Sequence, residues 1–180
     1  GKVCDIDDQK KKEWELREKS QKDSLTGLLN NSTIKQQIGA RLQSLKRGQT
    51  GYLVVQDVDS FKKINDTNGH LFGDAVLCSF ADELSNIFPE ALKGRIGGDE
   101  FVFYVEDMDR EHLEEKLKQL NRCMSDRYDD DKTGLHISCS LGAAVTDGTV
   151  TDYNLLFQWA DAALYQVKSK GKGAYYLLDV

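Results

Sequence analysis

A tight reversal near the middle of the chain restricts its fold more than any other stretch. KGRIGGDEFVFYVE, residues 93–106, reads as strand, turn, strand, with two glycines and two acids between segments rich in β-branched and aromatic residues. A hairpin at that place excludes a purely parallel, doubly wound sheet. Apolar residues at helical spacing exclude an all-β domain. They are Ile34, Ile38, Leu42 and Leu45 in 32–46, Val76, Leu77, Phe80, Leu84 and Ile87 in 74–88, and Leu113, Leu117 and Leu120 in 111–124. Asn31-Ser32 is expected to cap the first of these helices and Pro89 to stop the second. A last helix is expected over 154–171, ended by Gly171. Strands are expected over YLVVQDVD (52–59), LHISCSLGAAV (135–145, broken at Gly142) and AYYLLDV (174–180). KKINDTNGHLFG (62–73) reads as a polar loop. This order predicts an α+β sandwich with a mixed or antiparallel sheet.

The chain has 180 residues and a net charge of −6. That length suits one domain with a short extension. The acidic balance argues against a nonspecific nucleic-acid binder, whose footprint is basic, but leaves room for a nucleotide substrate. Cys4, Cys78, Cys123 and Cys139 form no CxxC pair and read as isolated thiols of a reducing compartment. No apolar run reaches membrane-spanning length and no signal peptide opens the chain, so a cytoplasmic location is expected. The chain starts at Gly1 within a charged segment and is read as a piece of a longer protein, whose membrane anchor, if it has one, lies upstream. Residues 5–22 have a helix-forming composition, with only Ile6, Trp14 and Leu16 apolar, a stripe too thin for an independent helix. They read either as a solvated leader or as the end of a signalling helix from an upstream module. The expected division is therefore 1–22 and 23–180.

The acids at the strand ends suggest chemistry. Asp57 and Asp59 close a hydrophobic strand, two residues apart and so pointing the same way. Asp99 and Glu100 sit at the hairpin turn, where Gly97 and Gly98 are free to take positive φ and admit a ligand. Neighbouring tips of this kind would offer hard oxygen ligands to Mg²⁺ and a phosphate-bearing substrate; each tip alone reads equally as ordinary surface acid. Asn65 and Asp74 between a strand and a helix could read a guanine edge, or could be loop and cap residues. His70 could brace that loop or touch the ligand. Lys168 and Lys172 lie four apart, on one face if the helix extends that far, and suit phosphates or a helix C-terminus.

Five segments together, DSLTGLLN, DVDSFKKINDTNGHLFGD, RIGGDEF, SLGAA and ADAALYQVKSKGK, run in order from Asp23 to Lys172 and resemble the GGDEF domains of bacterial diguanylate cyclases. The resemblance implies a nucleotide-cyclase-like α+β fold, a mainly antiparallel central sheet surrounded by helices. It implies condensation of two GTP to cyclic di-GMP and two pyrophosphates by a homodimer, with Mg²⁺ or Mn²⁺, under an upstream sensor. By position, Asp57, the Val58 carbonyl, Asp99 and Glu100 match metal ligands, with Glu100 and Asp99 the catalytic acids. Asn65 and Asp74 match guanine readers, and Asp74 favours guanine at both sites; His70 matches a pocket position. Lys62, Lys168 and Lys172 match phosphate-side positions, Phe61 borders that loop, and Gly97 and Gly98 let phosphates approach. Lys172 stands where Arg is more usual, a point charge in place of a fork. Asn31 also replaces a usual Arg, which weakens an expected ion pair. Phe88 and Ala91 occupy the RxxD positions of an inhibitory product site and cannot bind as Arg and Asp would, so no product inhibition is expected there. The alternative is a noncatalytic GTP-binding regulatory module.

Overall fold

The structure, a computed structural model, describes residues 3–179, with side chains from residue 5 onward, so the Cys4 thiol and Val180 lie outside the described residues. In chain order, α1 (Val3–Gln21) and α2 (Asn31–Ser44) precede β1 (Gly51–Val58), and α3 (Phe61–Asn68) and α4 (His70–Ile87) follow it. β2 (Leu92–Arg95) and β3 (Glu100–Glu106) form the hairpin, and α5 (Arg110–Tyr128), β4 (Cys139–Thr146), α6 (Tyr153–Ser169) and β5 (Tyr175–Leu178) complete the chain.

The strands make one sheet in the order β2-β3-β1-β4-β5. All pairs are antiparallel except β4 with β5. β1 is central and buried along its whole length, because helices cover both faces of the sheet. Alternation along the strand sorts its side chains. Tyr52, Val54 and Val58 join Phe101, Phe103 and Val105 under α4 and α5, whereas Leu53 and Val55 join Val102 and Tyr104 under α2 and α6. The α+β expectation and the mainly antiparallel sheet are therefore met.

Several local expectations are corrected. The polar stretch 62–73 is helical, because Phe61 and Ile64 supply an inward face that polar composition concealed, and only Gly69 (φ 88°) breaks the helix into α3 and α4. The cap of α2 is Asn30, whose side chain accepts from the Thr33 amide at 3.0 Å, rather than Asn31-Ser32. The strand expected from residue 135 starts at Cys139 and runs unbroken through Gly142. That glycine serves a close approach, since a Cβ there would fall 2.2 Å from the Ala160 carbonyl oxygen on α6. α6 ends at Ser169, short of Gly171, and Lys172 follows in a left-handed conformation (φ 67°). Lys168 and Lys172 do not share a helix face.

α1 carries exposed Ile6, Trp14 and Leu16. Its last turn is tied to the body, with the Asn30 side-chain amide donating to the Ser20 carbonyl at 2.6 Å and the Asn30 backbone amide to Gln21 at 2.8 Å. No described helix is long and apolar enough to cross a membrane.

Candidate active site

The register of β1 against β3 sets Asp57 directly opposite Glu100. Both fall on the sheet face that α6 covers, in step with Leu53, Val55, Val102 and Tyr104. The Lys168 ammonium, from the last turn of α6, donates to Asp57 Oδ2. Asp99 is drawn to the same end of the sheet, because its carbonyl accepts from the Val58 amide at 3.2 Å.

The parity expected of Asp57 and Asp59 holds, but their surroundings divide them. Asp59 accepts from the Ser138 and Ser140 hydroxyls, each at 2.6 Å, and from the Gly173 amide at 3.0 Å. Its carboxylate is fully engaged in holding β4 and the loop after α6 against the end of β1. Asp57 is as buried, and its Oδ1 has no hydrogen-bond partner. Burial pushes the Asp57 carboxyl up to about 6, against the opposing pull of Lys168 and with the help of neighbouring Asp99 and Asp59. A buried carboxylate oxygen without a protein donor is met by water or by a cation.

The turn itself differs from expectation. Gly97 and Gly98 do not adopt positive φ. Their lack of side chains matters for space: a Cβ on Gly97 would meet Glu100 Oε2 at 3.0 Å, and Gly98 faces open space. The Gly98 carbonyl accepts from Arg95 Nε at 3.1 Å and Nη2 at 2.7 Å, and the same guanidinium pairs with Asp23 at 3.2 Å. Burial resists ionisation of Asp23, yet Thr26 and Arg95 hold its carboxyl below the usual range. Sequence reading missed Arg95 and Asp23 as a clamp, although both lie inside quoted motifs.

A second group forms at the α3–α4 junction. Asn65 Oδ1 is buried without a partner. It sits over Gly73, where a Cβ would fall 1.8 Å from that oxygen and 3.2 Å from Phe61 Cζ. Asp74 follows Gly73 on α4, and His70 opens that helix exposed to solvent. The side chains of Lys62, His70 and Asp74 take part in none of the hydrogen bonds or ion pairs among the described residues. Lys172 Nζ donates to Ser60 Oγ at 3.2 Å, which brings it to the start of α3.

A cavity of about 500 Å³ opens between α3 and the segment 130–136, past Asp59, Lys63 and His136. It lies beside the carboxylates rather than over them. The chemistry follows the carboxylates, since the buried acid facing the cavity, Asp59, already has its donors. No group of three or more His, Cys, Asp or Glu side chains closes on a single point among the described residues. Lys168 stands on Asp57 instead. The donor set still suits a hard cation, because Asp57, Asp99, Glu100 and the Val58 carbonyl all offer oxygen and Asp57 Oδ1 is free.

Residues 20–174 match the family model described as "Diguanylate cyclase, GGDEF domain". Diguanylate cyclase DgcS of Shewanella oneidensis is 35% identical over 164 residues, covering 86% of this chain and 52% of that protein. Diguanylate cyclase DgcP of Pseudomonas aeruginosa is 33% identical over 159 residues, covering 87% of this chain and 24% of that protein. The chain thus spans about half of one relative and a quarter of the other. The crystal structure of the coiled coil and GGDEF domain of DgcB from Caulobacter crescentus, in complex with c-di-GMP, superposes with a TM-score of 0.88 at 24% identity. It covers 98% of this chain and 95% of that one, and it establishes a shared fold.

Proposed function

The chain belongs to the diguanylate cyclase GGDEF family, and from that premise we propose that it condenses two GTP molecules into cyclic di-GMP in bacterial second-messenger signalling. The observation that carries this reading is the cross-strand pair of Asp57 and Glu100 on the face covered by α6, with the Lys168 ammonium on Asp57. Asp57, Asp99, Glu100 and the Val58 carbonyl would hold Mg²⁺ or Mn²⁺. Such an ion, when bound, would neutralise phosphate charge and favour a 3′-alkoxide.

The chain's own residues supply the rest. Asp74 accepts from the guanine N1–H and N2–H, and Asn65 bonds the remaining edge with its buried, unpartnered amide oxygen or its amide group. Phe61 and His70 border the nucleotide, and Gly97 and Gly98 leave room for phosphates. Lys62, Lys168 and Lys172 hold the triphosphate as point charges. The 3′-hydroxyl of one GTP attacks the α-phosphorus of the other. The O3′–P bond forms as the bond to pyrophosphate breaks, and the hydroxyl proton passes to the Asp99–Glu100 pair. The second half repeats with roles exchanged, which makes a two-fold dimer the natural active form. Residues 1–22 would set dimer geometry under an upstream sensor.

The direct test is GTP turnover with Mg²⁺, with products resolved by chromatography across a wide range of protein concentration. Cyclic di-GMP rising more steeply than protein concentration supports the reading. GTP binding without product, even when the domain is fused to a dimerising coiled coil, would leave a regulatory GTP-binding module.

Two further results are expected. Gly73→Ala displaces Asn65, because the new Cβ cannot coexist with the amide oxygen at 1.8 Å. Helix propensity favours Ala over Gly by about 1 kcal/mol, which offsets the local clash. GTP affinity should therefore fall by about tenfold, a loss typical of a guanine contact left unpaired, while the melting temperature hardly moves. Calorimetric titration with a non-hydrolysable GTP analogue reads the first and a thermal melt the second. Unchanged affinity would remove Asn65 from the guanine site. The other result concerns feedback. Phe88 is buried, its ring centroid 4.8 Å from that of Phe103, and Ala91 offers no polar group. Added cyclic di-GMP should leave the initial turnover rate unchanged, and inhibition that excess GTP does not relieve would contradict this.

A further inference from the structure

Lys168 has a second task at the proposed site, and the reasoning rests on the reading of Asp57 as a metal ligand. The ammonium reaches Asp57 from a side chain 38% exposed, whereas the Asp57 side chain is 8% exposed. Asp57 has no other donor, for Oδ1 is unpartnered. The adjacent Asp59 is closed to the ammonium by Ser138, Ser140 and the Gly173 amide. Lys172 is held on Ser60 and does not compete. Asp99 and Glu100 also act on the Lys168 charge, and Asp99 acts on Asp57. Asp57 alone contacts the ammonium, while Asp99 and Glu100 lie near enough to act on its charge.

We infer that Lys168 is a placeholder cation: without nucleotide it occupies Asp57, and a divalent ion gains that carboxylate only when a triphosphate draws the ammonium away. A lysine suits this exchange, because its single charge rides on a flexible stem and its donors rotate freely. Two cations cannot share the buried carboxylate cheaply, since their repulsion is weakly screened there. Metal and nucleotide then assist each other, each raising the affinity of the other by the same factor. The ammonium also offsets part of the repulsion that Asp99 and Asp59 exert on Asp57 before substrate arrives.

Mn²⁺ binding without nucleotide, followed by the electron paramagnetic resonance signal of the free ion, tests the exchange without any turnover. Wild-type protein should bind Mn²⁺ weakly and tighten when a non-hydrolysable GTP analogue is added. Lys168→Met should raise the nucleotide-free affinity by about tenfold, within the usual range for coupled sites, and shrink the tightening by the analogue. Lys168→Gln should do the same, which guards against a packing effect of Met, and Lys168→Arg should keep the weak affinity. Lys170→Met removes an equal charge that lies over the Tyr176 ring and should change the nucleotide-free affinity by less than about twofold, as expected of exposed charges. If Lys168→Met and Lys168→Gln bind Mn²⁺ no tighter than wild type, while Asp57→Asn abolishes binding, the metal site stands and the placeholder role falls. If no variant binds Mn²⁺ even with the analogue, the metal reading fails and takes the placeholder role with it.

Discussion

Asp57→Asn should lower the proposed turnover by about a hundred- to a thousandfold, the range seen when one charge-stabilising group leaves an active site, and should at the same time make the metal-free protein more stable at neutral pH. The two effects have one cause. Asp57 is 5% exposed, and burial raises its carboxyl to about 6 from an ordinary 3.8. The folded state therefore keeps this proton to higher pH than the unfolded chain does. Its contribution to stability is fully present below 3.8 and is lost as pH rises through about 6. An amide has the same shape and never ionises. Metal-free Asp57→Asn should thus gain on the order of 1–2 kcal/mol over wild type at pH 7–8, less than the full shift because Lys168 loses its partner. The gain should vanish near pH 4 as the wild-type carboxyl protonates. Denaturant melts across pH, without divalent ions, read the stability difference. A variant less stable than wild type throughout, or one that keeps its turnover, would show that Asp57 is a structural acid.

Gly142→Ala should cost about 3 kcal/mol or more, at the upper end for overpacking, because nothing near it can give way. The added Cβ would lie 2.2 Å from the Ala160 carbonyl oxygen and 2.2 Å from the Leu164 amide nitrogen. Both are backbone atoms of α6, so relief requires the helix to lift from β4, and Lys168 rides on the last turn of that helix. A chain that still folds should pull Lys168 off Asp57 and bind GTP more weakly. The midpoint of urea unfolding and calorimetric titration with a GTP analogue measure the two consequences. An unchanged midpoint would mean that α6 does not pack on β4 at this distance.

The fold was legible where burial writes a simple pattern. Ile34, Ile38 and Leu42 mark α2, Leu113, Leu117 and Leu120 mark α5, and the even apolar run of β1 marks a strand covered on both faces. It was illegible where one or two side chains decide. KKINDTNGHLFG looks like loop because Ile64 is its single fully inward residue on α3, and the role of Gly73 shows only once Asn65 lies above it. Gly142 looks like a break because sequence cannot show that α6 returns against it. The acids of the site were visible as a pair of strand tips, and register places Asp57 opposite Glu100. Their different states were not visible. Asp57 and Asp59 are the same residue type on the same face, and only Ser138, Ser140 and Gly173, distant in the chain, make one of them a brace.

The order of the sheet has a consequence for how the protein comes into being. β1 cannot be completed by its neighbours in sequence, for its partners β3 and β4 are made later and α6 later still. Non-local pairing of this kind slows folding, since loop closure is charged before contacts repay it. Asp57 is synthesised before Glu100, and Lys168 after both. A chain synthesised only as far as β3 therefore holds the acids without the cation and without β4 to cover the strand. The acids at the strand ends are therefore balanced by Lys168 only once α6 has been made and has packed.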